Sequence, residues 1–250
     1  EAAQTERNGV ARVVLKSRRP IALDIYDAFA RTGRGVLIRG PQIAGGFVVE
    51  EVQQVANDIV AVGSSVTPDD RARANGHHGG VLWLTGLSGA GKSTLAMAAQ
   101  TALFSRGRQV AVLDGDNLRH GLNRDLGFSA EDRAENIRRL AEVAGLMAQN
   151  GMIVIVSAIS PLQQNRDLAR GIIGADFHDV HVHADVATCE ARDPKGLYKR
   201  ARAGEIAQFT GISAPYEPPL RPALAIDTAR LSLPEASETL LDFAERSFAA

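Results

Sequence analysis

The sequence predicts an α/β fold, a five-stranded parallel sheet flanked by helices, preceded by a short all-β segment. Three observations carry this prediction. Apolar, β-branched runs recur at 81–85 (VLWLT), 109–113 (QVAVL), 152–156 (MIVIV), 179–183 (DVHVH) and 223–226 (ALAI). Continuous rather than alternating runs suit strands buried on both faces. Helical stretches separate them, the order that builds a parallel sheet with helices on either side.

In chain order, residues 10–60 hold the β-like runs VARVVLK, GVLIRG and GGFVVEEV, punctuated by Pro20, Gly33, Gly35, Pro41 and the Gly45-Gly46 pair, and read as all-β. Residues 63–79 are rich in Gly, Asp and Arg with almost nothing to bury, the composition of a linker. From 80 to 250 the β/α alternation runs to the end. Its clearest helix is 129–149: Ser129 with Asp132 three residues on predicts a capping box, and Ile137, Leu140, Ala141, Ala144, Met147 and Ala148 form one apolar stripe.

The 250 residues carry 28 basic and 29 acidic side chains, a net charge of −1, so no global field favours nucleic acid or an anionic membrane. Cys189, the one cysteine, cannot form an internal disulfide, and no apolar run approaches the roughly 18 residues of a membrane span. A cytoplasmic protein is the simplest reading. Glu1 rather than Met at the start reads as a cut inside a longer polypeptide.

GLSGAGKST (86–94) fits G-x-x-x-x-G-K-[ST] directly after a strand and before a helix. Gly86, Gly89 and Gly91 let backbone N–H groups curl around a phosphate, Lys92 reaches the β/γ oxygens, and the Ser93 hydroxyl can ligate Mg²⁺. Leu87, Ser88, Ala90 and Thr94 complete the ATP loop. No Asn is followed by Lys, so the guanine motif of switch GTPases is missing. A P-loop kinase is the better class, its second substrate docking across the C-terminal strand ends.

Asp114 and Asp116 fall at the end of the second strand of that sheet. Either carboxylate can hold a Mg²⁺ water or orient the attacking hydroxyl; Asp114 reads equally well as a cap for the turn that follows. Arg133 lies on the buried stripe of its helix, where a guanidinium needs an anion, and Arg119 can converge on the same group. Arg138 and Arg139 lie off the stripe and read as solvated. Asn136 adds an amide donor. Phe128 and Phe209 sit in Gly-flanked polar loops, where a large ring is out of place unless it stacks on something. Together these predict an acceptor with a flat ring and an anionic tail. Ser160 before Pro161 reads as a helix N-cap with Pro at N1.

GLSGAGKST, DGDNLRHGLNRDLGFSAEDRAENIRR, SAISP and DPKGLYKRARAGEIAQFTGISAPYEPP together resemble adenylylsulfate kinase (APS kinase) over about residues 80 to 250. The resemblance implies transfer of the ATP γ-phosphate to the 3′-hydroxyl of adenosine 5′-phosphosulfate (APS), giving PAPS and ADP. It implies catalytic roles for Lys92, Asp116 and Ser160, with Ser93 and Asp116 at Mg²⁺, and Arg192 near the ATP adenine. It places Asp114, Arg119, Asn123, Phe128, Arg133, Asn136, Ile159, Ser160, Lys195 and Phe209 around APS, the two phenylalanines sandwiching its adenine and Lys195 on a mobile lid. A homo-oligomer is expected. The alternatives left open are another P-loop small-molecule or nucleotide kinase, or a catalytically silent nucleotide-binding regulatory module. Residues 8–55 are more weakly similar to the end of the last, translation-factor-like β-barrel domain of the GTPase subunit of ATP sulfurylase. This implies a remnant of that domain over 1–62, a bifunctional polypeptide, and the ATP sulfurylase small subunit as a partner of the full-length complex; the remnant is expected to pack on a partner or be mobile, with no sulfurylase or GTPase activity of its own.

Overall fold

A computed structural model describes residues 34–39, 41–51 and 63–250. The chain divides into two compact units, Glu1–Gly63 and Ser64–Ala250. In the first, β1 (Arg34–Arg39) and β2 (Gln42–Val48) pair antiparallel, with a register shift between Leu37 and Ile38. The β-run predicted at 10–16 lies outside the described residues.

The second unit begins with a helix where the composition predicted a linker. α1 (Pro68–Asn75) has only Ala72 buried, so hydrophobic burial does not hold it. Local chemistry does: Thr67 and Asp70 form a reciprocal capping box, Pro68 occupies the first turn, and Gly76 closes the far end at φ 67°. Polar bonds then dock it, with the Asn75 amide donating to Gly151 O (3.1 Å) and Gln109 N donating to His77 Nε2 (3.1 Å). These two contacts are long-range, which a window of sequence cannot show.

Next come β3 (Gly80–Thr85), α2 (Lys92–Ser105), β4 (Val110–Asp114), the single turn α3 (Gly115–Leu118) and α4 (Ala130–Gln149). Then follow β5 (Ile153–Ser157), α5 (Gln163–Ile173), β6 (Phe177–His183), α6 (Val186–Arg192), α7 (Leu197–Arg202), β7 (Leu224–Asp227) and α8 (Leu233–Ser247). The strands lie in the order β4-β5-β3-β6-β7, all parallel. This is the predicted five-stranded sheet. Its pleat divides the core in two: Leu82, Leu84, Ile155, Val180 and Val182 face α2 and α8, while Val81, Trp83, Val154 and Val156 face α4 and α5. At about 1.5–3 kcal/mol for each large side chain fully buried, these faces fix the register. Asp114, Ser157 and Leu84 consequently share one row at the carboxyl edge.

Two start signals resolve differently from expectation. Ser129 caps α4 by accepting from Asp132 N (3.1 Å), but the Asp132 carboxylate accepts from Gly127 N (3.0 Å) instead of completing the box. Ser160 is not a cap: α5 begins only at Gln163, whose N–H is taken by the Glu217 carboxylate (2.6 Å). Ser160 has φ 38° and lies 2% exposed, so its side chain points into the protein rather than along a helix axis. Among the described residues no helix is long and apolar enough to cross a membrane.

Candidate active site

The carboxyl edge of the sheet opens into one cleft of about 1510 Å³. Its first wall is the loop between β3 and α2. Gly86 (φ 156°) and Gly89 (φ 78°) press against backbone, where a Cβ would meet Val182 O at 2.2 Å and Cys189 O at 2.8 Å respectively. Only glycine fits both places. Lys92, 8% exposed, donates to Gly86 O (2.9 Å) and Leu87 O (2.8 Å), and burial pulls its ammonium down to about 8. Ser88, Gly89, Gly91, Lys92, Ser93 and Thr94 line the cleft. Gly86, Leu87 and Ala90 stand behind it and shape the loop.

At the join, the Ser93 hydroxyl donates to Asp114 Oδ2 (2.7 Å) and lies 3.1 Å from Ser157 Oγ. Asp114 also caps α3, accepting from Asp116 N (3.0 Å) and Asn117 N (3.3 Å). The cap reading of Asp114 is present in the structure, and the same carboxylate accepts from Ser93 at the edge of the cleft. Burial pushes this carboxyl up, but the bonds from Ser93, Asn117 and Asp116 outweigh it and hold it below the usual range. Asp116 is exposed and pairs with Lys195 across the cleft (2.6 Å), which raises the lysine above its ordinary value. Hydroxyl and carboxylate oxygens at this join form a hard donor set that fits Mg²⁺.

The acceptor wall is built from side chains holding loops. Arg119 donates to Leu126 O (3.1 Å) and Gly127 O (2.7 Å), and its guanidinium lies 4.4 Å over the Phe128 ring. Arg133 donates to Phe128 O (3.0 Å), Gln208 O (2.5 Å) and Thr210 Oγ1 (3.3 Å). Burial lowers the Arg133 guanidinium, and Arg119 nearby adds to the effect. Both guanidinium groups rest on neutral oxygens of the chain. Phe128 is 66% exposed while Phe209 is 7% exposed, packed edge-on against Tyr198 at 4.9 Å. Ile159, Ser160 and Asn136 complete the wall, and Arg192 and Lys195 border the cleft from the α6 side.

Asn123 differs: it is fully buried behind Asn136, donating to Asn136 Oδ1 (3.0 Å), and does not reach the cleft. Nor are Arg138 and Arg139 simply solvated. Arg139 binds Asp125 (2.7 Å) and Glu135 (2.9 Å), Arg138 binds Glu135 (2.8 Å), and the two arginines draw the Glu135 carboxyl down to about 2. The network ties the turn after α3 to α4, which a helical-wheel argument overlooks because Asp125 lies on another element.

A family model described as adenylylsulphate kinase matches residues 78–227. The chain belongs to the adenylylsulphate kinase family. An adenylyl-sulfate kinase of Bacillus pumilus is 55% identical over 181 residues, covering 72% of this chain and 92% of that protein. One from Geotalea uraniireducens is 53% identical over 190 residues, covering 76% and 91%. The solved structure of the Mycobacterium tuberculosis APS kinase CysC in complex with AMPPNP and APS superimposes with a TM-score of 0.65 at 51% identity, covering 67% of this chain and 98% of that one. The hexameric APS kinase from Thiobacillus denitrificans has a TM-score of 0.54 at 34% identity, covering 71% and 31%.

Several cleft residues escaped sequence reasoning. Thr228 and Leu231, in the connection after β7, and Leu233 and Ala236, on α8, line the cleft, and nothing in their spacing marks them. Thr228 accepts from Arg192 Nη1 (3.1 Å) and donates to Ala90 O (2.8 Å), joining the last strand to the phosphate loop. Trp83 does carry a signal, a single indole in an otherwise aliphatic strand, and its Nε1 donates to Ser160 Oγ (3.1 Å).

Proposed function

We propose that this protein transfers the γ-phosphoryl group of ATP to the 3′-hydroxyl of adenosine 5′-phosphosulfate, giving PAPS and ADP. One observation carries the reading: a single cleft has a phosphate loop at one end and, at the other, two arginines with an exposed ring between them. Its similarity to a kinase solved with AMPPNP and APS supports the same pairing of substrates.

The chemistry asks the protein mainly to position and to neutralise. Lys92 exchanges the carbonyls of Gly86 and Leu87 for β/γ-phosphate oxygens, and Arg192 borders the ATP adenine. Asp116 orients the 3′-hydroxyl and accepts its proton, releasing Lys195 to the bound phosphates. Arg119, Arg133 and Asn136 hold the phosphosulfate, and Phe128 and Phe209 flank the acceptor adenine, with Asp114 and Ile159 completing the wall. Asn123 serves from behind by holding the Asn136 amide. Ser93 and Asp116 would hold Mg²⁺, which when bound neutralises charge on the transferring phosphate. Transfer is direct and in line. Ser160, 2% exposed with its hydroxyl bonded to Trp83, shapes the wall rather than carrying a phosphoryl group.

The test is a coupled assay in which ADP release requires APS. Release with other acceptors, or nucleotide binding without turnover, would overturn the reading. A single-turnover search for labelled enzyme tests direct transfer, and label on Ser160 would refute it. We also read the protein as a cytoplasmic oligomer whose residues 1–62 belong to an ATP sulfurylase large subunit, joined to the kinase over 63–79. The resemblance of 8–55 and the antiparallel β1-β2 pair support this. Co-purification with a sulfurylase small subunit and sedimentation of the full-length polypeptide test it.

A further inference from the structure

We propose that Arg166 is a positioning residue for phosphoryl transfer, holding the backbone at Ser160 in the shape that the acceptor wall requires. The inference rests on the functional reading above. Arg166 lies on the first turn of α5, is fully buried, and forms no ion pair among the described residues. Its Nη1 donates to Ser160 O (2.7 Å), its Nη2 to Glu217 O (2.6 Å) and Gln163 Oε1 (2.7 Å), and its Nε has no partner. Burial disfavours the charge of this guanidinium, which the carboxylates of Glu217, Asp179 and Asp167 offset only in part, and an apolar side chain of the same length would fill the space without that cost. The charge therefore answers a local demand.

That demand is at Ser160, whose φ of 38° lies in the left-handed region that glycine favours, alone among the non-glycine positions of the described residues. Such a conformation persists only where its surroundings over-determine it. Here they do. Trp83 holds the Ser160 hydroxyl from below, Thr85 donates to Ile159 O (2.7 Å), and Glu217 N donates to Pro161 O (2.8 Å). Arg166 joins these anchors, because its second carbonyl belongs to Glu217, just beyond the segment that carries Phe209 and Thr210. One guanidinium thus ties the wall segment at Ser160 to the stretch that follows the segment carrying Phe209 and Thr210. The phosphate loop makes no hydrogen bond to it.

The selectivity of that connection is what an experiment reads. In the full-length protein, Arg166→Met should raise the KM for APS about tenfold or more and lower kcat, while the KM for ATP moves by less than about twofold. Arg166→Lys, which keeps one charged donor, should recover part of the loss. Trp83→Phe, which removes the donor to the Ser160 hydroxyl together with part of a buried ring, should move the APS KM in the same direction by about threefold, with its stability loss read separately, and guards against an Arg166→Met protein that does not fold. Thermal unfolding of each variant separates positioning from stability. Equal rises in both KM values, no change in either, or a lysine variant no better than methionine would overturn the inference. A wild-type protein without APS-dependent ADP release would instead overturn the functional reading on which it rests.

Discussion

The triphosphate end of the cleft comes from one contiguous stretch, residues 86–94, whereas the acceptor end is gathered from residues 114–119, 128–137, 157–161 and 206–210. At the first end the one buried cation, Lys92, bonds to carbonyls of its own loop, while Thr228, Arg192 and Tyr198 hold that loop from outside. The second end is satisfied across segments, with Arg133 alone touching residues 128, 208 and 210. A wall tied by cations resting on carbonyls can exchange those neutral partners for an anionic ligand at small cost, since charge-assisted bonds replace weaker ones.

Five experiments break or sharpen this contrast. The largest effect is expected at the join, where Asp116→Asn should lower kcat by about 10²- to 10⁴-fold while leaving both substrates bound, read by steady-state kinetics and equilibrium binding. At the triphosphate end, Lys92→Ala should cost about 10²–10³ in kcat. The same residue gives a pH signature. Burial puts its ammonium at about 8 in the free protein, so it is charged below that pH and neutral above it. Hence kcat/KM for ATP should fall as pH rises through about 8, while kcat stays flat because bound phosphates keep the lysine protonated. At the gathered end, Arg133→Ala should raise the KM for APS roughly ten- to a hundredfold, a loss of about 1.5–3 kcal/mol, with little change for ATP. The smallest effect is Phe128→Ala, about tenfold on APS alone if one aromatic face contributes 1–3 kcal/mol. Phe209→Ala is a poorer probe. That ring belongs to the core, and its removal would also cost about 3–5 kcal/mol of stability.

The same contrast explains what was legible. The sheet and the phosphate loop were readable because periodicity and the G-x-x-x-x-G-K-[ST] pattern are local properties of the chain. Arg133 was readable because a charge on an apolar stripe contradicts its surroundings. Ser160 was misread because Ser-Pro before a helical run carries the signature of a cap, and only the tertiary claims of Trp83 and Arg166 turn it inward. α1 was missed because its stability comes from caps and two distant hydrogen bonds rather than from a hydrophobic face. Asn123 and Asn136 were both legible as amides near the site, but which one faces the cleft depends on packing between two segments.

The row formed by Asp114, Ser157 and Leu84 works as a ruler. Neighbouring strands are spaced about 4.8 Å apart by their backbone hydrogen bonds, and the groups at the transfer point hang from that row. In the proposed reaction, the carboxylate and hydroxyls beside the transfer point are thus spaced by the sheet. Segments 119–137 and 205–216 could be rewritten for a different acceptor without recalibrating that distance, which makes this architecture a chassis on which new phosphoryl acceptors can be mounted.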